Sequence, residues 1–152
     1  MTYKIPFEVS EVSLNYRSEV KAKDRPRVTC SLDASQILLS NWSDYMEMFE
    51  EFYILLLDRS SRVMGRYLVS QGSVAGTVVD PKDVFCAALK TRCSGLILAH
   101  NHPSGNLKPS SSDLDLTKKL IQGGDLLDIQ ILDHLILAPD GGYYSFADEG
   151  LL

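Results

Sequence analysis

Two continuous apolar runs constrain the fold of this chain more than any other feature. The first spans Phe52 to Leu57, and the second spans Gly95 to Ala99. A strand with one face in solvent alternates apolar and polar residues, whereas an unbroken apolar run is typical of a strand buried on both faces. Such strands need helices packed on each side of the sheet. The chain is therefore predicted to form one α/β (α+β) domain with a mixed sheet flanked by helices.

Turn and capping residues delimit the other elements. Proline suits the first turn of a helix, and paired glycines are a common stop signal. In chain order, the predictions are a capped helix from Ser31 to Tyr45, an antiparallel strand from Val63 to Val69, a helix from Asp80-Pro81, a helix opened by Pro109 to Asp113 and ended by Gly123-Gly124, a strand from Ile129 to Leu137, and a short strand from Tyr143 to Ser145.

The size and composition of the chain fit a single globular domain. It has 152 residues, of which 45% are hydrophobic and 23% are charged, enough to bury a core. No apolar run approaches the roughly 20 residues that a membrane-spanning helix needs, and the first residues lack the layout of a secretion signal. Three cysteines without a C-x-x-C pair form a poor disulfide framework. We therefore expect a cytoplasmic protein that has no membrane partner.

The charge distribution argues against a general nucleic-acid binder. The formal net charge is −5, whereas binding to phosphate normally requires an excess of basic residues. One basic stretch, from Arg17 to Arg27, lies within residues 1–28, which are predicted to form an N-terminal arm or hairpin. A solvated arm is favoured over a DNA-binding one, because the stretch has no interleaved aromatic residues.

Two of the three histidines, His100 and His102, are two positions apart at the end of a predicted strand. At that spacing both rings point to the same face of the sheet. They lie where the strand gives way to a loop, so open space should exist beside them. The pair is a candidate for metal ligation, although it could also end the strand with its nitrogens bonded to loop carbonyls.

Asp113 follows His102 by eleven residues, at the start of a predicted helix. A carboxylate there can return to the histidine pair and complete a set of two nitrogens and one oxygen. Catalytic zinc sites use three protein ligands of this kind and leave a fourth position for water. Ser110 and Asp113 also fit a capping box, which would explain both residues through the helix end alone. With the histidine pair upstream, the metal site is favoured.

A water activated by a metal still needs a base that is close to the metal but not bound to it. Glu50 lies at the start of the first apolar run and is well placed if that strand neighbours Gly95 to Ala99. Spacing alone does not choose Glu50 over Glu47 or Glu51, because all three lie at a junction between a helix and a strand.

These segments together resemble the RadC family, the bacterial branch of the JAMM (MPN-plus, JAB) metalloprotease fold. The JAMM signature is a glutamate, a long gap, H-x-H, ten residues and an aspartate, with a serine three positions before that aspartate. The resemblance covers residues 29–152. It is carried by Glu50-Glu51-Phe52, His100-Asn101-His102-Pro103-Ser104-Gly105, Ser110-x-x-Asp113, Leu132-Asp133-His134 and Tyr144-Ser145-Phe146-Ala147.

The resemblance implies a JAB/MPN (cytidine-deaminase-like) domain with Zn²⁺ bound by His100, His102 and Asp113. It assigns Glu50 as general acid and base, the choice that spacing leaves open. Ser110 would donate a hydrogen bond to the carbonyl oxygen as negative charge develops there. The implied reaction is hydrolysis of a peptide or isopeptide bond, in a protein or peptide substrate that includes conjugates. RadC proteins also carry a DNA-repair label.

Two departures from the family pattern bear on function. Asp80-Pro81 stands where RadC proteins often have His-Pro, which touches no expected ligand. Longer RadC proteins begin with a helix-hairpin-helix module, for which this sequence has no room before residue 29. We therefore expect a weakened DNA role, and the oligomeric state stays open.

Two other functions compete with the metallopeptidase. Histidines and carboxylates also build metal-dependent nucleases and phosphoesterases, although those sites commonly gather several carboxylates around magnesium or paired metals. The site could instead be a non-catalytic metal site in an accessory protein that binds DNA. His134 has two balanced interpretations, as a contact beside the zinc or as a strand histidine satisfied by Asp133 or backbone.

Overall fold

A computed structural model describes residues 7–74 and 76–152 of the chain. The first six residues of the predicted N-terminal arm or hairpin lie outside this range. A short 3-10 helix occupies Ala22–Asp24. The other elements, in chain order, are α1 (Ser31–Ser40), β1 (Glu51–Leu57), β2 (Val63–Gln71), α2 (Pro81–Thr91), β3 (Gly95–Asn101), α3 (Ser111–Leu127), β4 (Gln130–Leu137) and β5 (Tyr143–Ser145).

The five strands form one mixed sheet in the order β2-β1-β3-β4-β5. Strand β1 is antiparallel to both β2 and β3, β3 is parallel to β4, and β4 is antiparallel to β5. The parallel pair is connected through α3, which is the crossover that two parallel strands require. The predicted α/β architecture with a mixed sheet is confirmed.

Both apolar runs form strands whose residues are all buried. Alternate side chains of β1 point to opposite faces of the sheet and pack in two different hydrophobic clusters. Ile54 and Leu56 pack in a cluster that includes residues of α2 and α3. Tyr53, Leu55 and Leu57 pack in a second cluster with residues of α1 on the opposite face. The absence of polar alternation thus follows from helices covering both faces of the sheet.

The pairing of β1 with β3 determines where the polar residues beyond the strands meet. Phe52 pairs with His100 in an antiparallel register. Because antiparallel strands run in opposite directions, the residues before Phe52 lie beside those after His100. Glu50 and His102 are each two positions from that pair, so both emerge at the same edge of the sheet.

The predicted end of α3 at Gly123-Gly124 is wrong, because the helix continues to Leu127 and ends at Asp128 in a left-handed conformation. Both glycines are helical residues at close contacts. A Cβ on Gly123 would lie 2.6 Å from the ring of Phe85 in α2, and a Cβ on Gly124 would lie 2.3 Å from the carbonyl oxygen of Ile129. Here glycine permits close packing rather than a stop.

The predicted extension of α1 to Tyr45 is also wrong. The helix ends at Ser40, and the side chain of Asn41 donates to the carbonyl of Ile37 at 2.8 Å. Trp42 still packs on the sheet from outside the helix, with its ring centroid 4.5 Å from that of Tyr53. No side chain caps the N-terminus in the way that Ser31 was predicted to do.

Residues 7–21 form a mostly exposed segment without helix or strand, and one hydrogen bond connects it to β2. The Tyr16 hydroxyl donates to the carbonyl of Met64 at 2.7 Å. In the basic stretch, the Arg25 guanidinium lies 3.5 Å from a carboxylate oxygen of Asp58. Within the described part of the chain, no helix has the length and apolar character needed to cross a membrane.

Candidate metal centre

The histidine pair lies where β3 leaves the sheet. His100 is the penultimate residue of β3, and its side chain is almost fully buried. His102 follows the strand, and its backbone N–H donates to the carbonyl of Leu137 at 2.9 Å, which continues the alignment with β4. The two rings face each other with their Nε2 atoms 3.0 Å apart. The side chain of His102 is 16% exposed, so the pair opens to solvent on that side.

Asp113 comes to the histidine pair from the first turn of α3. Its Oδ1 lies 3.4 Å from His100 Nε2, and its Oδ2 lies 4.0 Å from His102 Nε2. The capping box is present as well: Asp113 Oδ2 accepts from the Ser110 N–H at 2.8 Å, and Ser110 Oγ accepts from the Asp113 N–H at 3.1 Å. The two interpretations of this aspartate therefore coexist, because the cap orients the carboxylate toward the rings.

The ionisation of Asp113 reflects this position. Partial burial raises the pKa of the carboxyl, but the neighbouring His100 imidazole and the donors of Ser110 lower it by more. The pKa is held well below its usual range. Asp113 therefore carries a full negative charge beside two imidazoles at neutral pH.

Glu50 completes the group from the start of β1. One of its carboxylate oxygens lies within 4.8 Å of a ring nitrogen of each of His100 and His102. Its backbone is held on the β2 side, where its N–H donates to Ser73 and its carbonyl accepts from Gly72, both at 2.9 Å. Burial raises the pKa of the Glu50 carboxyl, and the charges of the two histidines act in the opposite direction.

The other two glutamates at this junction are placed differently. The side chain of Glu51 is buried on another face, where it accepts from Ser43 at 2.5 Å and from Gln71 at 2.8 Å. Glu47 is exposed. Of the three glutamates that spacing left open, Glu50 is the one grouped with the two imidazoles among the described residues.

Asn101, the residue between the two histidines, is one that the sequence analysis missed. Its side chain is fully buried on the opposite face of β3. Its Oδ1 accepts from the Glu51 N–H at 2.7 Å, and its Nδ2 donates to the carbonyls of Met46 and Phe49 at 2.7 and 2.8 Å. Asn101 thus ties β3 to the segment that carries Glu50. The only sequence signal was a polar residue between the two histidines, directly after a strand predicted to be buried.

His134 lies behind His100 and is fully buried. Its Nε2 is 2.8 Å from His100 Nδ1, and its Nδ1 is 2.7 Å from the hydroxyl oxygen of Thr117. Burial holds the pKa of His134 well below its usual value. The ring contacts His100, not Asp133, whose carboxylate instead accepts from the His134 backbone N–H at 2.7 Å.

The donor set fits a metal ion. Nδ1 of His102 hydrogen-bonds the carbonyl oxygen of Asn106, which can only accept, so Nδ1 carries the ring proton of a neutral His102 and Nε2 is bare. The bare nitrogen faces His100 and Asp113. Ligand atoms that are about 2.0–2.1 Å from a tetrahedral zinc are about 3.3 Å from one another. The two histidine nitrogens are 3.0 Å apart, close to that value, and the Asp113 carboxylate approaches them through different oxygens, Oδ1 at 3.4 Å from His100 and Oδ2 at 4.0 Å from His102.

Comparisons with known proteins show what the chain is similar to. The model of the RadC-like JAB domain family matches residues 28–151. A UPF0758 protein of Flavobacterium johnsoniae is 44% identical over 82% of this chain and 53% of its own length. UPF0758 proteins of Thermosynechococcus vestitus and Pelobacter propionicus are 46% and 43% identical over 65% and 68% of this chain, and over 39% and 44% of their own lengths. The chain spans about half the length of the relatives that it matches.

Proposed function

The chain belongs to the RadC-like JAB domain family, and we propose that it is a zinc-dependent metallopeptidase that hydrolyses a peptide or isopeptide bond. The observation that carries the proposal is the convergence of Glu50 with the rings of His100 and His102, beside the Asp113 carboxylate. Two imidazoles and one carboxylate form the three-ligand set of a catalytic zinc site, which leaves a further position for water.

His100, His102 and Asp113 would hold the metal ion. Zinc in such a site makes water a nucleophile at neutral pH and polarises a substrate carbonyl. The chain supplies the negative charge that a dication requires, because Asp113 is ionised at neutral pH. The bare Nε2 of His102 directs its lone pair at the position where the metal ion would bind.

Glu50 would transfer the protons of the reaction. It takes the proton of the attacking water and later gives it to the leaving amine, so it must change protonation state in each turnover. Partial burial raises the pKa of its carboxyl, which brings the protonated form closer to neutral pH. The backbone bonds to Gly72 and Ser73 hold it beside the histidines without occupying its carboxylate.

Ser110 would donate its hydroxyl proton to the carbonyl oxygen as negative charge develops there. In the capping box, Ser110 Oγ only accepts, from the Asp113 N–H. A hydroxyl has one proton to donate as well as lone pairs to accept. The bond to the Asp113 N–H does not use the hydroxyl proton of Ser110. The same side chain can therefore cap the helix and turn that proton from the Asp113 carboxylate to an oxyanion.

The competing nuclease would need a different donor set. Nuclease sites commonly gather several carboxylates around magnesium or paired metals. The present centre offers two imidazole nitrogens, which suit zinc better than magnesium. One zinc ion per chain supports the peptidase, and two magnesium or manganese ions support the nuclease.

The test is the Glu50→Gln variant, loaded with zinc and incubated with libraries of fluorogenic peptides and isopeptide-linked peptides. We expect hydrolysis to fall by about 10²–10⁴-fold, the usual contribution of a general acid or base, with bound zinc and circular dichroism unchanged. The matched control is Glu47→Gln, which changes an exposed glutamate three positions away and should keep the parent rate. A Glu50→Gln protein as active as the parent overturns the mechanism.

A further inference from the structure

A series of buried hydrogen bonds lies behind His100. Which atom of each pair donates the proton determines whether His100 can bind a metal. We propose that Thr117 and His134 are positioning residues that fix the ring proton of His100 on Nδ1 and so keep its Nε2 lone pair directed at the metal. The inference rests on the metal centre proposed above. It adds two residues outside the glutamate, histidine, aspartate and serine set of the site.

The direction is determined at Thr117. Its Oγ1 lies 2.6 Å from the backbone carbonyl oxygen of Asp113. A carbonyl oxygen can only accept, so the single proton of the hydroxyl lies on this contact. The hydroxyl therefore has only lone pairs to offer to His134 Nδ1, which is 2.7 Å away. It follows that His134 carries a proton on Nδ1.

The second step concerns the other nitrogen of His134. The ring is fully buried, stacked at 4.5 Å between centroids on Phe146 and edge-on to Phe52 at 5.6 Å. Among the described residues, no carboxylate hydrogen-bonds the ring, so a second proton would place an unpaired charge in an apolar environment at high cost. His134 is neutral, and its Nε2 is bare.

The bare Nε2 of His134 accepts from His100 Nδ1 at 2.8 Å. A neutral His100 with its proton on Nδ1 has a lone pair on Nε2. That lone pair faces His102 Nε2 at 3.0 Å and Asp113 Oδ1 at 3.4 Å, where the metal would bind. The reverse direction would place a proton on His100 Nε2 and block ligation.

The series of hydrogen bonds also returns to the residue at which it starts. It begins at the backbone carbonyl of Asp113 and passes through Thr117 and His134 to His100, which faces the carboxylate of the same Asp113. Strands β3 and β4 and helix α3 each contribute to the circuit. A metal-ligating histidine usually donates its other N–H to a fixed acceptor, and loss of that acceptor typically weakens metal affinity by about 10–100-fold.

The first experiment compares Thr117→Val with Thr117→Ser. Valine keeps the shape of threonine but removes the acceptor for His134, whereas serine keeps the hydroxyl. Zinc affinity is measured by competition with a chromophoric chelator, and folding by circular dichroism. We expect zinc to bind about tenfold more weakly to Thr117→Val and within about threefold of the parent to Thr117→Ser. Folded Thr117→Val with the parent affinity overturns the proposal.

A second pair of variants tests the acceptor itself. His134→Leu removes it, and His134→Gln restores a carbonyl oxygen near the position of Nε2. Zinc affinity should fall by about 10–100-fold in His134→Leu and recover most of that loss in His134→Gln. Equal zinc affinity in the two folded variants contradicts the proposal.

The third measurement needs no variant and no metal. Histidine ring nitrogens of the zinc-free parent protein are assigned by ¹⁵N NMR above the titration range of free histidine. We expect the proton on Nδ1 in both His100 and His134, and a proton on Nε2 of His100 overturns the proposal. The result stays distinct from that for the proposed function, which fails if the parent binds no zinc or if Glu50→Gln is fully active.

Discussion

Asp133 and His134 are neighbours on β4, yet they belong to two buried polar groups of opposite character. Asp133 lies in what we call the closed cluster. Its Oδ1 accepts from the N–H groups of His134 and Ala147 at 2.7 and 3.0 Å, and its Oδ2 accepts from Ser145 Oγ at 2.6 Å. Ser145 Oγ in turn accepts from the Asp148 N–H at 3.1 Å. Each of these acceptor atoms faces a donor.

We call the metal centre the open cluster, because its acceptor atoms face one another rather than donors. The Nε2 atoms of His100 and His102 face each other and the carboxylate of Asp113, and Glu50 adds a second carboxylate. With the ring protons of both histidines on Nδ1, the atoms that converge on this point are acceptors. Such a group is stabilised when a metal ion joins it.

The pKa values of Asp113 in the open cluster and of Asp133 in the closed cluster are shifted in opposite directions. Burial is the largest influence on both Asp113 and Asp133 and raises both pKa values. The pKa of Asp133 stays raised despite its three donors, whereas His100 and Ser110 bring the pKa of Asp113 well below its usual range. Burial alone therefore does not distinguish a structural carboxylate from a functional one. The balance of donors and acceptors around it does.

The largest expected effect comes from changing the charge of the open cluster. Asp113→Asn keeps an oxygen that can accept from the Ser110 N–H but removes the negative charge beside the histidines. We expect zinc affinity to fall more than 100-fold, beyond the effect of losing an outer-shell partner, and hydrolysis to fall with it. Zinc titration monitored by competition with a chelator measures the change.

The control for this prediction is Asp115→Asn, on an exposed position of the same helix. It removes the same charge from the same helix turn and should leave zinc affinity within about twofold. Comparable losses of affinity in both variants would mean that the general field of α3, rather than a ligand, attracts the metal.

Ser110 combines a structural role with a proposed catalytic one, since a lone pair of its hydroxyl oxygen serves the cap and its proton is not used in that bond. Removing the hydroxyl should lower kcat by about 10²-fold, the cost of losing a donor to a developing oxyanion. Alanine should also lower the free energy of unfolding by about 1 kcal/mol through the lost cap, whereas glycine should cost only a few tenths.

Ser110→Ala and Ser110→Gly should therefore be equally slow but differ in stability, as shown by steady-state kinetics and urea unfolding. A kcat that follows stability, with Ser110→Gly near the parent, would reduce Ser110 to a helix cap. Ser112→Ala, at an exposed position in the first turn, serves as the control.

Sequence reasoning predicted the parts of this molecule that depend on local pattern. Strands β1 and β3 followed from apolar runs that are buried on both faces, and the H-x-H spacing placed two rings on one edge of the sheet. The pairing of β1 with β3 was stated as a condition for Glu50, and the structure shows that pairing.

What the sequence did not predict depends on contacts between distant segments. Gly123 and Gly124 carry the same local signal whether a helix stops there or packs tightly, and only the approach of Phe85 and Ile129 distinguishes the two. The role of Thr117 depends on β4, which places a ring nitrogen of His134 2.7 Å from its hydroxyl oxygen. Composition and residue spacing cannot predict a contact between two elements that are distant in the sequence.

The smallest predicted effect is a change in the pH dependence of the free energy of unfolding, and it tests the closed cluster. The pKa of Asp133 is raised in the folded state above the ordinary value of 3.8 by burial, which outweighs the hydrogen bonds of Ser145, Ala147 and His134. A raised folded-state pKa contributes stability that is fully present below the unfolded-state pKa. That contribution is lost as the pH rises through the folded-state pKa.

The free energy of unfolding of the parent, relative to that of Asp133→Asn, should therefore decrease from about pH 4 upward, with a slope of at most about 1.4 kcal/mol per pH unit. Urea unfolding at a series of pH values measures the difference, with Asp125→Asn as an exposed control. Zinc affinity should stay within about threefold of the parent, because an asparagine oxygen can still accept from the His134 backbone N–H. If the relative stability instead increases with pH, the donors outweigh burial, and the contrast between the two carboxyl groups disappears.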